Sequence, residues 1–130
     1  MAKPKHIIVA DDDDGVRWTL AEILSEAGHR VSIAGNGKAL REIVASSERV
    51  DLVVLDALMP GEPSTTLAAY LGSLRIPVVL ISGHPLKMRS AFEQGLQLLE
   101  KPFRASELKA AIEEAIASGK YGQREASTGR

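Results

Sequence analysis

Apolar residues along this chain fall into two patterns that take turns. Residues 6–10, 31–34, 52–55, 78–81 and 96–99 form short, mostly continuous apolar runs rich in β-branched side chains. Continuous runs, rather than alternating ones, predict strands buried on both faces of a parallel sheet. Between them, apolar residues recur at helical spacing. Val16, Leu20, Ile23, Leu24 and Ala27 make one stripe, stopped by Gly28. Leu40, Ile43 and Val44 follow Asn36, a good N-cap. Leu67, Leu71 and Leu74 make a third stripe. Leu86, Met88, Ala91 and Phe92 make a fourth, before Gly95, and Leu108, Ile112, Ala115 and Ile116 a fifth, ended by Gly119. Stripes, caps and terminal glycines agree with one another.

The order is therefore strand then helix, five times over. Right-handed crossovers bury both faces of such a sheet under helices. A closed eight-stranded barrel needs roughly 250 residues, so 130 residues predict an open sheet. The expected class is α/β, with one domain over residues 5–118 and a polar, disordered tail over 119–130. No internal repeat or linker is visible.

Composition narrows the function. The net charge is −1 and aromatics are 4%, which disfavours a nucleic-acid surface on this domain. The absence of cysteine excludes a disulfide scaffold, thiolate metal sites and cysteine catalysis. No apolar run approaches the roughly 20 residues needed to cross a bilayer, and the stretch after Met1 is too brief for a signal peptide. A soluble cytoplasmic protein is expected.

Chemistry collects where the strands end. In an open parallel sheet the strand C-termini share one edge, and ligands bind outside it. The first strand delivers Asp11, Asp12, Asp13 and Asp14, the third Asp56, the fourth Ser82, and the fifth Lys101 with Pro102. Asp13 and Asp14 read as helix-start residues favoured by the helix dipole. Asp11, Asp12 and Asp56 would converge. At ~4 Å and an effective dielectric of ~20, each like-charged pair costs about 4 kcal/mol, so a cation is expected. An all-oxygen donor set with no His or Cys favours a hard ion, Mg²⁺ first. Cation, lysine, hydroxyl and carboxylate together suit phosphoryl transfer.

These motifs carry a resemblance. Val-Ala-Asp11-Asp12, Val-Val-Leu-Asp56-Ala-Leu-Met-Pro60, Val-Leu-Ile-Ser82-Gly and Lys101-Pro102-Phe103, in that order, resemble the receiver domain of bacterial two-component response regulators. The segment from Asp11 to Trp18 is most similar to receivers of nitrogen-regulatory activators. The resemblance implies a flavodoxin-like (βα)5 fold with strand order 2-1-3-4-5. It implies that Asp56 is the phosphoacceptor, and that Asp11, Asp12, Asp56 and the Leu58 backbone carbonyl bind Mg²⁺. Ser82 matches the switch residue and Lys101 the lysine that pairs with the phosphorylated aspartate; the Lys101–Pro102 bond is expected cis. Implied partners are a sensor histidine kinase or histidine phosphotransfer protein and a downstream protein, with no membrane. Such a domain is not a turnover enzyme but catalyses its own phosphorylation and dephosphorylation. No output domain is evident, so output through a partner is expected.

Two departures stand out. Glu62-Pro63-Ser64 replaces the family's common Met-Asp-Gly, which predicts a stiffer loop. Leu98 stands where the family has a switch aromatic, so the usual readout by ring rotation is not available. Four further residues carry weaker expectations. His84, two residues after Ser82, is a loop residue or a modulator of hydrolysis. His6 and His29 are not expected to be ligands, and Trp18 is expected to pack on its helix or to form a partly exposed anchor.

Competing motifs fare worse. An EF-hand loop with Gly15 at its sixth position would begin at Ala10 and end at Ala21, neither an acid. Asp12-Asp13-Asp14-Gly15-Val16 resembles the nucleophile loop of haloacid-dehalogenase phosphatases, but the acids after Lys101 fall on or beyond a helix and Asp56 would have no role. A degenerate receiver acting only as an interaction module is the other alternative; the presence of every phosphorylation residue argues against it.

Overall fold

The structure is a computed structural model that describes residues 4–83 and 96–119. His84, the expected fourth helical stripe and the tail from Lys120 lie outside the described residues. Strands β1 (His6–Ala10), β2 (Arg30–Ala34), β3 (Leu52–Asp56), β4 (Val78–Ser82) and β5 (Gln97–Glu100) form one parallel sheet in the order β2-β1-β3-β4-β5. Four helices are described: α1 (Asp14–Glu26), α2 (Gly37–Ser46), α3 (Ser64–Ser73) and α4 (Ala105–Ser118).

Side chains alternate across each strand, so the sheet divides the core in two. Ile8, Ala10, Val53, Leu55, Val78 and Leu80 face α2 and α3 and meet Leu40, Val44, Leu67, Ala68 and Leu71. Ile7, Val9, Leu52, Val54, Val79 and Ile81 face α1 and α4 and meet Leu20, Leu24, Leu108, Ala111, Ile112 and Ala115. The three central strands are buried throughout, as their apolar runs predict.

The two outer strands differ from that expectation. β2 and β5 are only partly buried, because each has a neighbour on one side alone. β5 also begins one residue later than the apolar run, with Leu96 buried just ahead of it. Leu98 lies opposite Leu80 and packs half-buried on the α2–α3 side.

Caps follow local chemistry. The Asp13 side chain accepts a hydrogen bond from Val16 N–H at 3.0 Å, and Asn36 accepts one from Ala39 N–H at 2.8 Å. α4 ends on Gly119 in the left-handed conformation, φ 63°. One apolar residue departs from its stripe. Leu74 follows the end of α3 and turns half into solvent, while Ala68 takes the buried place on that face. Trp18, expected to pack on its helix or to form a partly exposed anchor, is 68% exposed.

His6 is buried in a polar knot. Its Nδ1 is 2.8 Å from Arg49 O and its Nε2 2.8 Å from Ser32 Oγ, while its N–H donates to Asp51 Oδ2 at 2.8 Å. Both ring nitrogens are engaged structurally. Burial alone would raise the Asp51 carboxyl, but the His6 and Arg49 hydrogen bonds and the charges of Arg49 and Lys5 outweigh it and hold the group below its ordinary value.

Candidate phosphoacceptor site

The hydrogen-bond ladder of the sheet runs one residue past the strands and fixes the groups that follow. Asp11 N–H donates to Ala34 O at 3.1 Å, Ala57 N–H to Ile81 O at 2.8 Å, and Lys101 N–H to Ser82 O at 2.8 Å. Asp11, Asp56, Ser82 and Lys101 thus stand at one sheet edge on rigid backbone rather than on free loops.

Asp11 and Asp56 are buried and Asp12 is exposed. One carboxylate oxygen from each lies within 4.8 Å of the others. Asp11 Oδ1 accepts a hydrogen bond from Asp13 N–H at 2.9 Å, but the buried Asp11 Oδ2 accepts none. The Lys101 ammonium is 3.5 Å from that oxygen and 3.7 Å from Asp56 Oδ1. Leu58 N–H donates to Asp56 Oδ1 at 3.3 Å, so the Leu58 peptide borders the cluster. A buried carboxylate oxygen without a hydrogen bond, in an all-oxygen donor set, fits a hard divalent cation.

The Asp56 carboxyl is raised above its ordinary value. Burial is the largest cause and the charge of Asp11 the next; the Leu58 N–H and Lys101 oppose them. Mutual repulsion, the cause expected from the sequence, is therefore second to desolvation. Convergence of the strand ends implies like charges, but how much water a group loses depends on everything packed around it.

Other side chains shape this edge without a clear signal in the sequence. Arg17, one turn into α1, donates from Nη1 to Asp11 O at 2.7 Å and pairs with Asp14 through Nη2. Its guanidinium crosses Gly35, where a Cβ would come within 3.2 Å of Nη1. Beyond Asp56, Glu62 receives two hydrogen bonds from Arg41 of α2, at 2.9 and 2.5 Å. The i, i+3 spacing of Asp14 and Arg17 is a sequence signal that could have found that pair; Arg41 and Glu62 are 21 residues apart and carry none. The Lys101–Pro102 peptide is cis. Next to the cluster an open, largely apolar groove of about 720 Å³ runs between α1 and the segment after β5, lined by Val16, Leu20, Ile23, Pro102 and Phe103.

A doubly wound parallel sheet with carboxylates, a hydroxyl and a lysine at one C-terminal edge defines a flavodoxin-like α/β domain, a class whose ligands bind outside that edge. Within that class, the chain belongs to the response regulator receiver domain family of two-component signalling, whose family model matches residues 7–113. It is 34% identical over 119 residues to the DNA-binding transcriptional regulator NtrC of Bradyrhizobium sp. (strain RP501 Parasponia), covering 88% of this chain and 25% of that protein. It is 35% identical over 120 residues to the transcriptional regulatory protein PdtaR of Mycobacterium tuberculosis, covering 88% of this chain and 58% of that protein. The fold is similar to NtrX from Brucella abortus, with a TM-score of 0.82 and 30% identity over 91% of this chain and 28% of that one. The chain thus spans between 25% and 58% of the length of these relatives. The haloacid-dehalogenase alternative loses its ground: Asp12, its nucleophile, is exposed, whereas the buried carboxylates beside Lys101 are Asp11 and Asp56, and that reading gives Asp56 no role.

Proposed function

We propose that this domain accepts a phosphoryl group on Asp56 from a phosphohistidine of a sensor kinase or phosphotransfer protein, and that the acyl phosphate switches a partner-binding surface. The observation that carries this reading is the buried Asp56 carboxylate, within 4.8 Å of Asp11 and Asp12 oxygens and 3.7 Å from the Lys101 ammonium. Asp11, Asp12, Asp56 and the Leu58 carbonyl are the groups that would hold Mg²⁺. When bound, the ion supplies neutralisation of charge on the phosphoryl oxygens.

The chain's own residues do the rest. An Asp56 carboxylate oxygen attacks phosphorus in line; the P–O bond to Asp56 forms as the P–N bond to the donor imidazole breaks, and the imidazole leaves. Lys101 moves from balancing two carboxylates to pairing with a phosphoryl oxygen. Ser82, buried at the end of β4, donates its hydroxyl to another oxygen, which biases the partner-binding surface between two states. The apolar groove beside Lys101 supports docking of a donor protein within reach of Asp56. The domain is not a turnover enzyme: it catalyses its own modification and loss of the phosphoryl group. We place the phosphoaccepting unit at residues 5–118, with 119–130 as a polar tail, in the cytoplasm.

The test is intact mass after incubation with acetyl phosphate and Mg²⁺. The wild-type protein should gain one phosphoryl group, labile to hydroxylamine, and Asp56→Asn should gain none. Label persisting in Asp56→Asn on a serine or histidine overturns the assignment. No gain in the wild type, with partner binding intact, would favour the interaction-module alternative.

A further inference from the structure

Arg41 holds the segment that follows the phosphoacceptor. From Ala57 to Pro63 the chain leaves β3, buries Met59, turns at Gly61 with φ 91° and enters α3. One anchor of this turn is local: Leu58 N–H on Asp56 Oδ1. The other comes from α2. Arg41 donates Nε to Glu62 Oε1 at 2.9 Å and Nη2 to Glu62 Oε2 at 2.5 Å, a two-point grip that fixes direction as well as distance. The same guanidinium lies 4.2 Å from the centroid of the Tyr70 ring on α3, which fixes its plane. Gly37, one turn before Arg41, makes room: a Cβ there would come within 3.3 Å of Glu62 Oε1 and of both Leu67 methyls. The Glu62 carboxylate therefore also sits at the first turn of α2, where the helix dipole favours an anion. Arg41 holds the Glu62 carboxyl below its ordinary value, chiefly through the hydrogen bonds.

We infer that Arg41 is a positioning residue: by gripping Glu62 against Tyr70 it fixes the 57–63 turn, and with it the Leu58 peptide beside Asp56, in the geometry that favours metal binding and phosphoryl acceptance. The inference rests on the phosphoacceptor reading above. It assigns to Glu62, a departure from the family's usual loop, the stiffness expected from sequence.

Two measurements test it. Amide hydrogen exchange of metal-free protein should show the Leu58, Met59, Gly61 and Glu62 amides exchanging about tenfold faster in Arg41→Ala and Glu62→Gln, with the central strands unchanged. Calorimetric Mg²⁺ titration should show Kd raised about threefold to tenfold in each, with Arg41→Lys between, and Arg41→Ala/Glu62→Gln no worse than the worse single variant. Unchanged exchange in the turn overturns the inference. So does faster exchange with an unchanged Kd, which would make the grip merely structural. A wild-type protein that ignores Mg²⁺ sinks the phosphoacceptor reading itself, and the inference that rests on it falls with it.

Discussion

Lys101 Nζ stands 3.7 Å from Asp56 Oδ1 while also lying 3.5 Å from Asp11 Oδ2. One partly exposed cation thus serves two carboxylates that are nearly without solvent. Removing it leaves buried negative charge uncompensated, a costly arrangement. In metal-free protein at pH 7, Lys101→Ala should lose about 1–3 kcal/mol of stability. A divalent ion competes with the ammonium for the same oxygens, so the variant should also show the larger Mg²⁺-induced rise in Tm. Urea and thermal unfolding with and without Mg²⁺ at matched ionic strength check the two in turn; a smaller rise than wild type would place Lys101 on the side of metal binding.

The raised Asp56 carboxyl makes a signed prediction. Because its folded value lies above the unfolded one, ionised Asp56 destabilises the fold at neutral pH. That penalty is fully present above the raised value and fades as pH falls toward the unfolded value of about 3.9. Asp56→Asn should therefore raise the metal-free Tm at pH 7, and the advantage should shrink on acidification. Saturating Mg²⁺ should narrow the gap from the wild-type side, by about 2.7 kcal/mol at 100-fold excess over Kd. An advantage independent of pH would show that Asp56 ionisation is not the cause.

Asp51 behaves in the opposite sense. Its carboxyl is held low by His6 N–H and by Arg49, despite its burial. Its stabilising contribution is present above the unfolded value and is lost as pH falls through the lower folded one. Asp51→Asn should cost about 1 kcal/mol at pH 7, and the difference from wild type should close below about pH 4. Equal urea midpoints at pH 7 would refute this.

Leu58 is 53% exposed and its N–H lies on Asp56 Oδ1. Hydrolysis of an acyl phosphate on Asp56 needs a water in line, and a leucine side chain offers it no hydrogen bond. Leu58→Asn should shorten the phosphoryl lifetime about threefold or more, since positioned hydrogen-bonding groups are worth factors of this order upward. The decay of the phosphorylated mass with time decides it; an unchanged or slower decay is the contrary result.

The sequence by itself determined the five strands, the described helices and the edge at which Asp11, Asp12, Asp56, Ser82 and Lys101 meet. The reason is that strand and helix periods are local, and a parallel sheet sends all its strand C-termini to one side. Residues at the end of an apolar run can therefore be placed without knowing what packs against them. What only the tertiary structure decided depends on sums over distant parts of the chain. Leu74 fits a helical stripe but turns half into solvent, because a stripe does not say where the neighbouring helix ends. β2 and β5 fit buried runs but lie at the sheet margins. Asp56 is raised first by lost water and only then by Asp11. Arg41 and Glu62, each an ordinary charged residue in its own segment, become partners because α2 and the turn before α3 pack on the same sheet face.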